Sequence, residues 1–372
     1  MWPLMNKLRL VLEKKQRTSF QHFLRNTFLP VGYPKSVHPN YWPYTKYQFL
    51  HATFGSACGV ISTQSILMAM NLSSSIPLAA TLNWILKDGL GQLGGVAYVS
   101  RFGHLFDSNT KRFRYISCLS MQLACLLEIF TLAAPSHFLL IAGISNIAKN
   151  VAWLANSATR AKVHNSFAWS QNLADVTGKS GSQNTTAGVL GTFLGICATT
   201  IAETPINLLL AFLPLSVLSV VCNYKSTLYI VNNILNQQKI ELVLRHSEFS
   251  VEKICEMETF VRKYSGRITV DPKISSLNPK QMDQLLNPTF DARYSIVDGP
   301  TILFHKEAES KDIIRGMLHC HLMLSGISAA EALNYLDKEE TLLLQKLKDN
   351  NWDLDTIYIS DDKRRIRLEK NV

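Results

Sequence analysis

Residues 47–86 read YQFLHATFGSACGVISTQSILMAMNLSSSIPLAATLNWIL, without one Asp, Glu, Lys or Arg. A helix needs about 20 mostly apolar residues to cross the hydrocarbon layer of a bilayer. This stretch therefore holds two such segments around the small polar turn NLSSS (71–75). Further uncharged runs lie between Glu128 and Lys149, between Lys179 and Glu203, and between Glu203 and Lys225. Together they predict spans at Tyr47–Met70, Ile76–Val99, Tyr115–Ala134, Phe138–Asn156, Thr185–Ala202 and Ile206–Tyr224. The second and fourth contain charges, Lys87, Asp88 and Lys149.

The connections support the same division. Lys7, Arg9, Lys14, Lys15, Arg17, Arg25, Lys35 and Lys46 precede the first span, and 71–75 has no basic residue. The next connection holds Arg101, Lys111, Arg112 and Arg114, and the turn at Pro135–His137 holds no Lys or Arg. Arg160, Lys162 and Lys179 follow, the turn near Glu203–Pro205 again has no basic residue, and Lys225 ends the series. Basic loops that alternate in this way obey the positive-inside rule. A soluble helical core has no reason to do so. The expected topology is six spans with both termini on the cytoplasmic, matrix or stromal side.

Composition divides at the same place. Residues 1–222 carry 17 Lys and Arg against 6 Asp and Glu, whereas residues 223–372 carry 21 against 22. This pattern excludes a disordered chain, a collagen-like fibre and a disulfide-stapled secreted module. The cysteines, Cys58, Cys118, Cys125, Cys197, Cys222, Cys255 and Cys320, never form a CxxC pair. They read as small buried hydrophobes rather than ligands.

The predicted fold class is mainly α: a polytopic helical membrane bundle followed by a small α+β C-terminal domain. Residues 1–46 form a basic amphipathic segment, read as a helix lying on an anionic leaflet; an organelle presequence is the alternative. Residues 47–224 are the membrane domain, and 225–372 the soluble domain. Gly55/Gly59, Gly91/Gly95 and Gly191/Gly195 fit the small-xxx-small spacing that lets helices approach closely. Pro205 suits a helix start, and Pro214 predicts a kink.

In the tail, residues 226–266 read as a helical connection. YSIV (294–297) and TILFHKEA (301–308) flank Asp298-Gly299-Pro300 as a β-hairpin, with helices at about 310–325 and 328–349. TIYIS (356–360) and RRIRLE (364–369) suggest a second hairpin. His319 and His321 share a helix but project to different faces, which favours packing over zinc binding.

Several stretches then resemble one family: FLPVGYPKSVHPNYWPY (28–44), LKDGLGQLGG (86–95), FDSNTKRFR (106–114), NVAWLANSATRAKVHNSFA (150–168) and NLADVTGKSGSQNT (172–185). In this order they resemble the root UVB-sensitive (RUS) family over roughly residues 28–205, and the tail's ββαα arrangement is also similar. The resemblance implies a membrane-associated protein, in plants often plastid, linked to early seedling growth, ultraviolet-B sensitivity, vitamin B6 homeostasis and auxin transport. It implies no established reaction and supplies no catalytic residues. The shared region begins without a long plastid-type leader ahead of it, which argues against plastid import.

Thr177-Gly178-Lys179-Ser180 lacks the glycine of a phosphate loop, since Leu173 holds that position. The Gly/Ser/Thr-rich run 178–185 instead suggests a helix N-terminus favouring an anion, with Arg160, Lys162, His164 and Lys179 on the same side. Topology alone also explains these cations. Asn172 and Asp175 read as helix caps. Lys87, Asp88 and Glu128 are costly in a bilayer unless paired or hydrated, which predicts either a Lys87–Glu128 pair or a polar path. RFGHLFDSNTKRF (101–113) resembles a cytoplasmic loop of major-facilitator transporters, with Ser100 where an acid would stand.

The candidate ligand-binding residues are thus Lys87, Asp88, Glu128, Arg160, Lys162 and Lys179, with no metal, no cofactor and no catalytic set. The expected partners are the lipid bilayer and a small anionic ligand. The basic patches lack a groove-binding helix or stacking platform, so nucleic acid is not expected. Binding or movement of the anion is the leading reading. The alternative is a non-catalytic scaffold whose 225–372 domain recruits a protein partner or a related family member. A third reading, an enzyme acting on a vitamin B6 compound, lacks a nucleophile or base.

Overall fold

A helix satisfies its backbone hydrogen bonds internally, so long apolar segments with few breakers become long helices whether or not their ends are charged. The computed structural model describes residues 20–73, 77–202, 204–286, 293–297, 300–359 and 365–366. The amphipathic reading of residues 1–19 lies outside the described residues. The chain divides into two units, Met1–Gly103 with Phe113–Ile230, and His104–Arg112 with Val231–Val372.

The first unit is helical: α1 (residues 20–28), α2 (Tyr41–Ser73), α3 (Pro77–Phe102), α4 (Thr110–Ile129, in this unit from Phe113), α5 (Phe138–Phe167), α6 (Leu173–Ile201) and α7 (Pro205–Leu228). Residue pairs give their directions. Gln48 meets Arg114, and Ser62 meets Glu128, so α2 and α4 run the same way. Gln183 meets Tyr41 and Gly191 lies against Thr53, so α6 runs with them. His51 meets Ser219, and Tyr47 stacks on Tyr229, so α7 runs opposite to α2. Lys149 meets Glu128, and Asn156 meets Arg114, which reverses α5 against α4. Gly91 faces Asn146 and Gly95 faces Leu154, placing α3 parallel to α5. Successive helices therefore alternate in direction.

Tyr41–Met70, Thr110–Leu132, Pro135–Phe167 and Pro205–Leu228 are long and apolar enough to cross a membrane. Many large apolar residues of the bundle face outward, with Leu93, Val96, Leu140, Trp153, Phe193, Ile206 and Leu210 all exposed. Its interior holds Ser62, Arg114, Gln122, Glu128, Ser145 and Ser219. These polar groups lie inside beside the buried apolar residues Ile61, Leu208 and Phe212.

Several boundaries differ from expectation. α5 continues to Phe167, beyond the expected end at Asn156, so Arg160 and Lys162 lie on a helix rather than in a loop. α6 begins at Leu173, so the run 178–185 lies within the helix and offers no N-terminal amides to an anion. In both cases hydropathy ends a span at its polar residues, while the backbone continues because no breaker interrupts it. Asn172 occupies the N-cap of α6 without a side-chain capping bond. Asp175 instead accepts the Val31 backbone N–H at 2.7 Å. Pro205 does open α7, with Thr204 accepting from Asn207 N at 3.2 Å.

Of the paired glycines, only two pairs make close contacts. A Cβ at Gly191 would stand 2.1 Å from the Thr53 carbonyl oxygen, and one at Gly95 2.8 Å from a Leu154 methyl. A Cβ at Gly59 would meet no described atom of another element within 4 Å. Gly191→Ala must push apart α2 and α6, because a backbone carbonyl cannot swing away, and is expected to cost about 1–3 kcal/mol. Gly59→Ala is expected to be neutral or slightly stabilising. Thermal unfolding of both variants in detergent checks the contrast; equal melting temperatures would refute it.

The second unit holds a parallel pair, β1 (Ile234–Asn236) with β5 (Asp353–Tyr358), and a sheet ordered β2-β4-β3 from Thr269–Val270, Thr301–Phe304 and Tyr294–Val297. Its helices are α8 (Gln237–His246), α9 (Val251–Met257), α10 (Pro279–Leu286), α11 (Ser310–Leu324) and α12 (Ala329–Asp349). The core gathers Leu235, Ile254, Ile302, Phe304, Met317 and Leu336. The β3–β4 hairpin and the two following helices match expectation. The proposed second hairpin does not form from its first strand, because β5 pairs with β1, while Ile366 bridges to His305. Most of 360–369 lies outside the described residues. Residues 226–266 are not wholly helical, since β1 interrupts them.

Candidate functional site

In α2, Gln48, His51 and Ser62 recur at helical spacing, and in α4 so do Arg114, Cys118, Gln122 and Glu128. Spacings near three, four and seven put side chains on one face. Because α2 and α4 run together, these faces meet along a polar seam, which α5 and α7 complete.

At one end Arg114, buried at 2% exposure, donates to Asn156 Oδ1 at 3.1 Å and to Gln48 Oε1 at 2.9 Å. Its guanidinium lies 5.6 Å from the centre of the Tyr44 ring. These partners are all neutral, and its Nε has no partner among the described residues. Arg160, one helical turn past Asn156, lies within electrostatic reach of Arg114 and Tyr44. His164, a turn further, contacts Thr177 Oγ1 at 3.0 Å. Lys46 and Lys225 flank the Tyr47 ring at 5.7 and 5.4 Å. Cations and tyrosines thus gather at this end. The other end is apolar, with Ile66 and Ala69 packed on Phe138 and Ala142.

Further along the seam, His51 Nδ1 lies 2.9 Å from Ser219 Oγ, to which Gln122 Nε2 donates at 3.3 Å. Gln122 Oε1 and Asn223 Oδ1 are buried without a partner among the described residues. Buried polar atoms are rarely left so. Deeper still, the Glu128 carboxylate accepts from Lys149 Nζ and Ser62 Oγ, while Lys149 also donates to Ser62 at 3.2 Å.

The expected Lys87–Glu128 pair does not form. Lys87 pairs with its neighbour Asp88 at 2.6 Å, and Asn146 Nδ2 binds the Lys87 carbonyl at 2.9 Å and Asp88 Oδ1 at 3.1 Å. The reason is rotational. Gly91, Gly94 and Gly95 seat α3 on the Asn146/Asn150 face of α5, whereas Lys149 turns to Glu128. Of the sequence-predicted residues, Glu128 lies in the seam and Arg160 at its basic end. Lys87 and Asp88 belong to the α3–α5 contact. Lys162 is two residues from Arg160 and so on another face of α5. Lys179 pairs with Asp175 at 3.7 Å and donates to the Asn26 carbonyl.

Arg114, Gln48, Asn156, His51 and Ser219 were not among the predicted site residues. The detectable signal was the polar series 114, 118, 122, 128, visible once α4 is extended to Thr110. Among the described residues no group of three or more His, Cys, Asp and Glu is placed to hold a metal ion.

Residues 14–249 match the profile of the vitamin B6 photo-protection and homoeostasis domain. The chain is also 28% identical to protein root UVB sensitive 3 of Arabidopsis thaliana, over 91% of this chain and 85% of that protein. The chain belongs to the root UVB sensitive family. A second Arabidopsis thaliana member, root UVB sensitive 6, is 30% identical over 86% of this chain and 67% of its own length. Root UVB sensitive 2, named as chloroplastic, is 35% identical over 59% of this chain and 51% of its own. No solved structure matches. The root UVB sensitive match contains the whole seam, from Gln48 to Asn223.

Proposed function

We propose that this root UVB sensitive family protein is an integral membrane protein whose six long helices cross the bilayer, and that its seam binds and moves a small anionic solute. The basic end lies on the cytoplasmic, matrix or stromal side, following the positive-inside rule. The exposed apolar girdle and the tyrosine collar with Lys46 and Lys225 support the bilayer as surrounding medium.

The observation that carries the solute reading is Arg114. A buried charge without a countercharge is expensive, and among the described residues the groups bonded or stacked on this one are amides and an aromatic face, with a second cation, Arg160, within electrostatic reach. An anion entering from the basic end supplies the missing charge, with Arg160 beside it. The unpartnered Gln122 and Asn223 oxygens then line a polar route toward Lys149 and Glu128. Because the matched domain's name mentions vitamin B6, we include phosphorylated vitamin B6 compounds such as pyridoxal phosphate among the anions to try.

A ligand that prefers the folded state raises the melting temperature by mass action. In detergent, one member of a panel of small anions that includes pyridoxal phosphate is expected to stabilise the protein saturably. Arg114→Gln should abolish the shift, while Lys87→Ala should retain it. Uptake into proteoliposomes should follow the same order. A stabilising anion that acts equally on Arg114→Gln would remove the seam from the proposal, and a panel without effect would remove the anion.

A further inference from the structure

The second unit contains a cleft of about 270 Å³ between α8, residues 257–268 and the end of α11, apart from the seam. At its floor Glu241 is buried. Glu241 Oε2 accepts from Tyr264 Oη at 3.0 Å and from the Arg267 backbone N at 2.8 Å, which fills it. Among the described residues Oε1 accepts only from Gln237 Nε2, at 3.0 Å. A carboxylate oxygen has two lone-pair sites, so Oε1 keeps one. Gly266 permits this packing, since a Cβ there would stand 2.1 Å from Oε1.

Arg245 and Arg267 also line the cleft and are exposed, with no ion pair to either among the described residues. Both act electrostatically on the Tyr264 hydroxyl, which donates to the same carboxylate, and both line the cleft with it. Burial, and then Glu241, push the Tyr264 phenol up, so it stays protonated and keeps donating. Burial and Arg267 push the His321 imidazole down, leaving it neutral at pH 7 as a further donor or acceptor on the wall. Leu242, Met257, Ile268 and Leu324 supply apolar surface.

We propose that this cleft binds a small amphoteric molecule, its anionic group on Arg245 and Arg267 and an N–H or O–H donor turned to Glu241. A simple anion would face the Glu241 carboxylate, and a simple cation would face two guanidinium groups. Only a molecule carrying both functions satisfies floor and rim together. The volume is below the roughly 300–1,000 Å³ of drug-sized sites, so the occupant is compact.

The test uses the full chain in phosphatidylcholine nanodiscs, with O-phosphoethanolamine as probe and inorganic phosphate and ethanolamine as its halves. Hydrogen exchange at 257–268 and 318–325 is the readout. O-phosphoethanolamine is expected to protect both segments saturably, at concentrations at least about tenfold below those needed for either half (a difference of about 1.4 kcal/mol). An Arg245→Ala, Arg267→Ala double variant should lose that protection, and Glu241→Gln should weaken it about tenfold. If Glu241→Gln loosens 257–268 before any probe is added, the arginine variant decides, because both side chains are exposed and make no hydrogen bond or ion pair among the described residues. Protection that appears without probe once phosphatidylethanolamine is included identifies a lipid headgroup as the source; protection only on adding the free compound identifies a soluble one. No saturable protection, equal protection in the arginine variant, or phosphate acting as strongly as the whole probe would each overturn the proposal.

Discussion

Glu128→Gln is expected to lower the stability of the helical bundle by about 3 kcal/mol, because it leaves the partly buried Lys149 charged without its carboxylate. Glu128 is 1% exposed and holds both Lys149 and Ser62 through one oxygen. The loss should appear as a melting temperature in detergent reduced on the order of 10 °C. Lys87→Ala should do less, since Asp88 keeps a second donor in Asn146 Nδ2 at 3.1 Å. The double variant Glu128→Gln, Lys149→Met removes the orphaned charge and is expected to recover most of the loss. A double variant as unstable as Glu128→Gln alone would show that packing, not the ion pair, holds this point of the seam.

The second large effect is expected in the other unit. Lys111 and Lys239 are both buried there, and both approach Glu258, at 3.7 and 3.9 Å. Backbone carbonyls complete their shells: Cys255 at 2.6 Å for Lys111, with Asn232 at 2.8 Å and Ile234 at 3.2 Å for Lys239. Two ammonium groups thus share one carboxylate. Glu258→Gln keeps the shape but removes the negative charge, leaving like charges buried side by side, at a cost of about 3–5 kcal/mol. Hydrogen exchange at 104–112 and 232–258 should accelerate by about two orders of magnitude or more. Adding Lys111→Met should slow it again. Unchanged exchange in Glu258→Gln would mean that the carbonyls alone suffice.

Lys111 shows how far local reading reaches. In sequence it is one of four cations in the connection 100–114, and topology explains it fully. In the structure it is a buried ion-pair partner, because residues 104–112 fold with the second unit through contacts more than a hundred positions away. Arg114, three residues on, was counted in the same group and instead lies in the seam of the first unit. Nothing in their shared segment distinguishes the two.

The expected helices at about 310–325 and 328–349 correspond to α11 and α12, whose starts carry capping boxes from Glu309/Asp312 and Ser328/Glu331. The β5 pairing was not legible. An Asp-Asp turn signal points to the adjacent strand, but the β5–β1 partnership spans the whole unit and is chosen by the core between them.

Unaided, the amino-acid order determined which segments become long apolar helices and where the cations between them fall, because both follow from hydropathy and backbone hydrogen bonding within a single segment. The tertiary structure alone decided which ionisable groups meet. Glu128 takes Lys149 rather than Lys87, and Arg114 takes amides rather than an acid, because helix order and rotation are set by close packing at Gly91, Gly95, Gly191 and Gly195. That packing is a property of pairs of faces, and no single helix carries it.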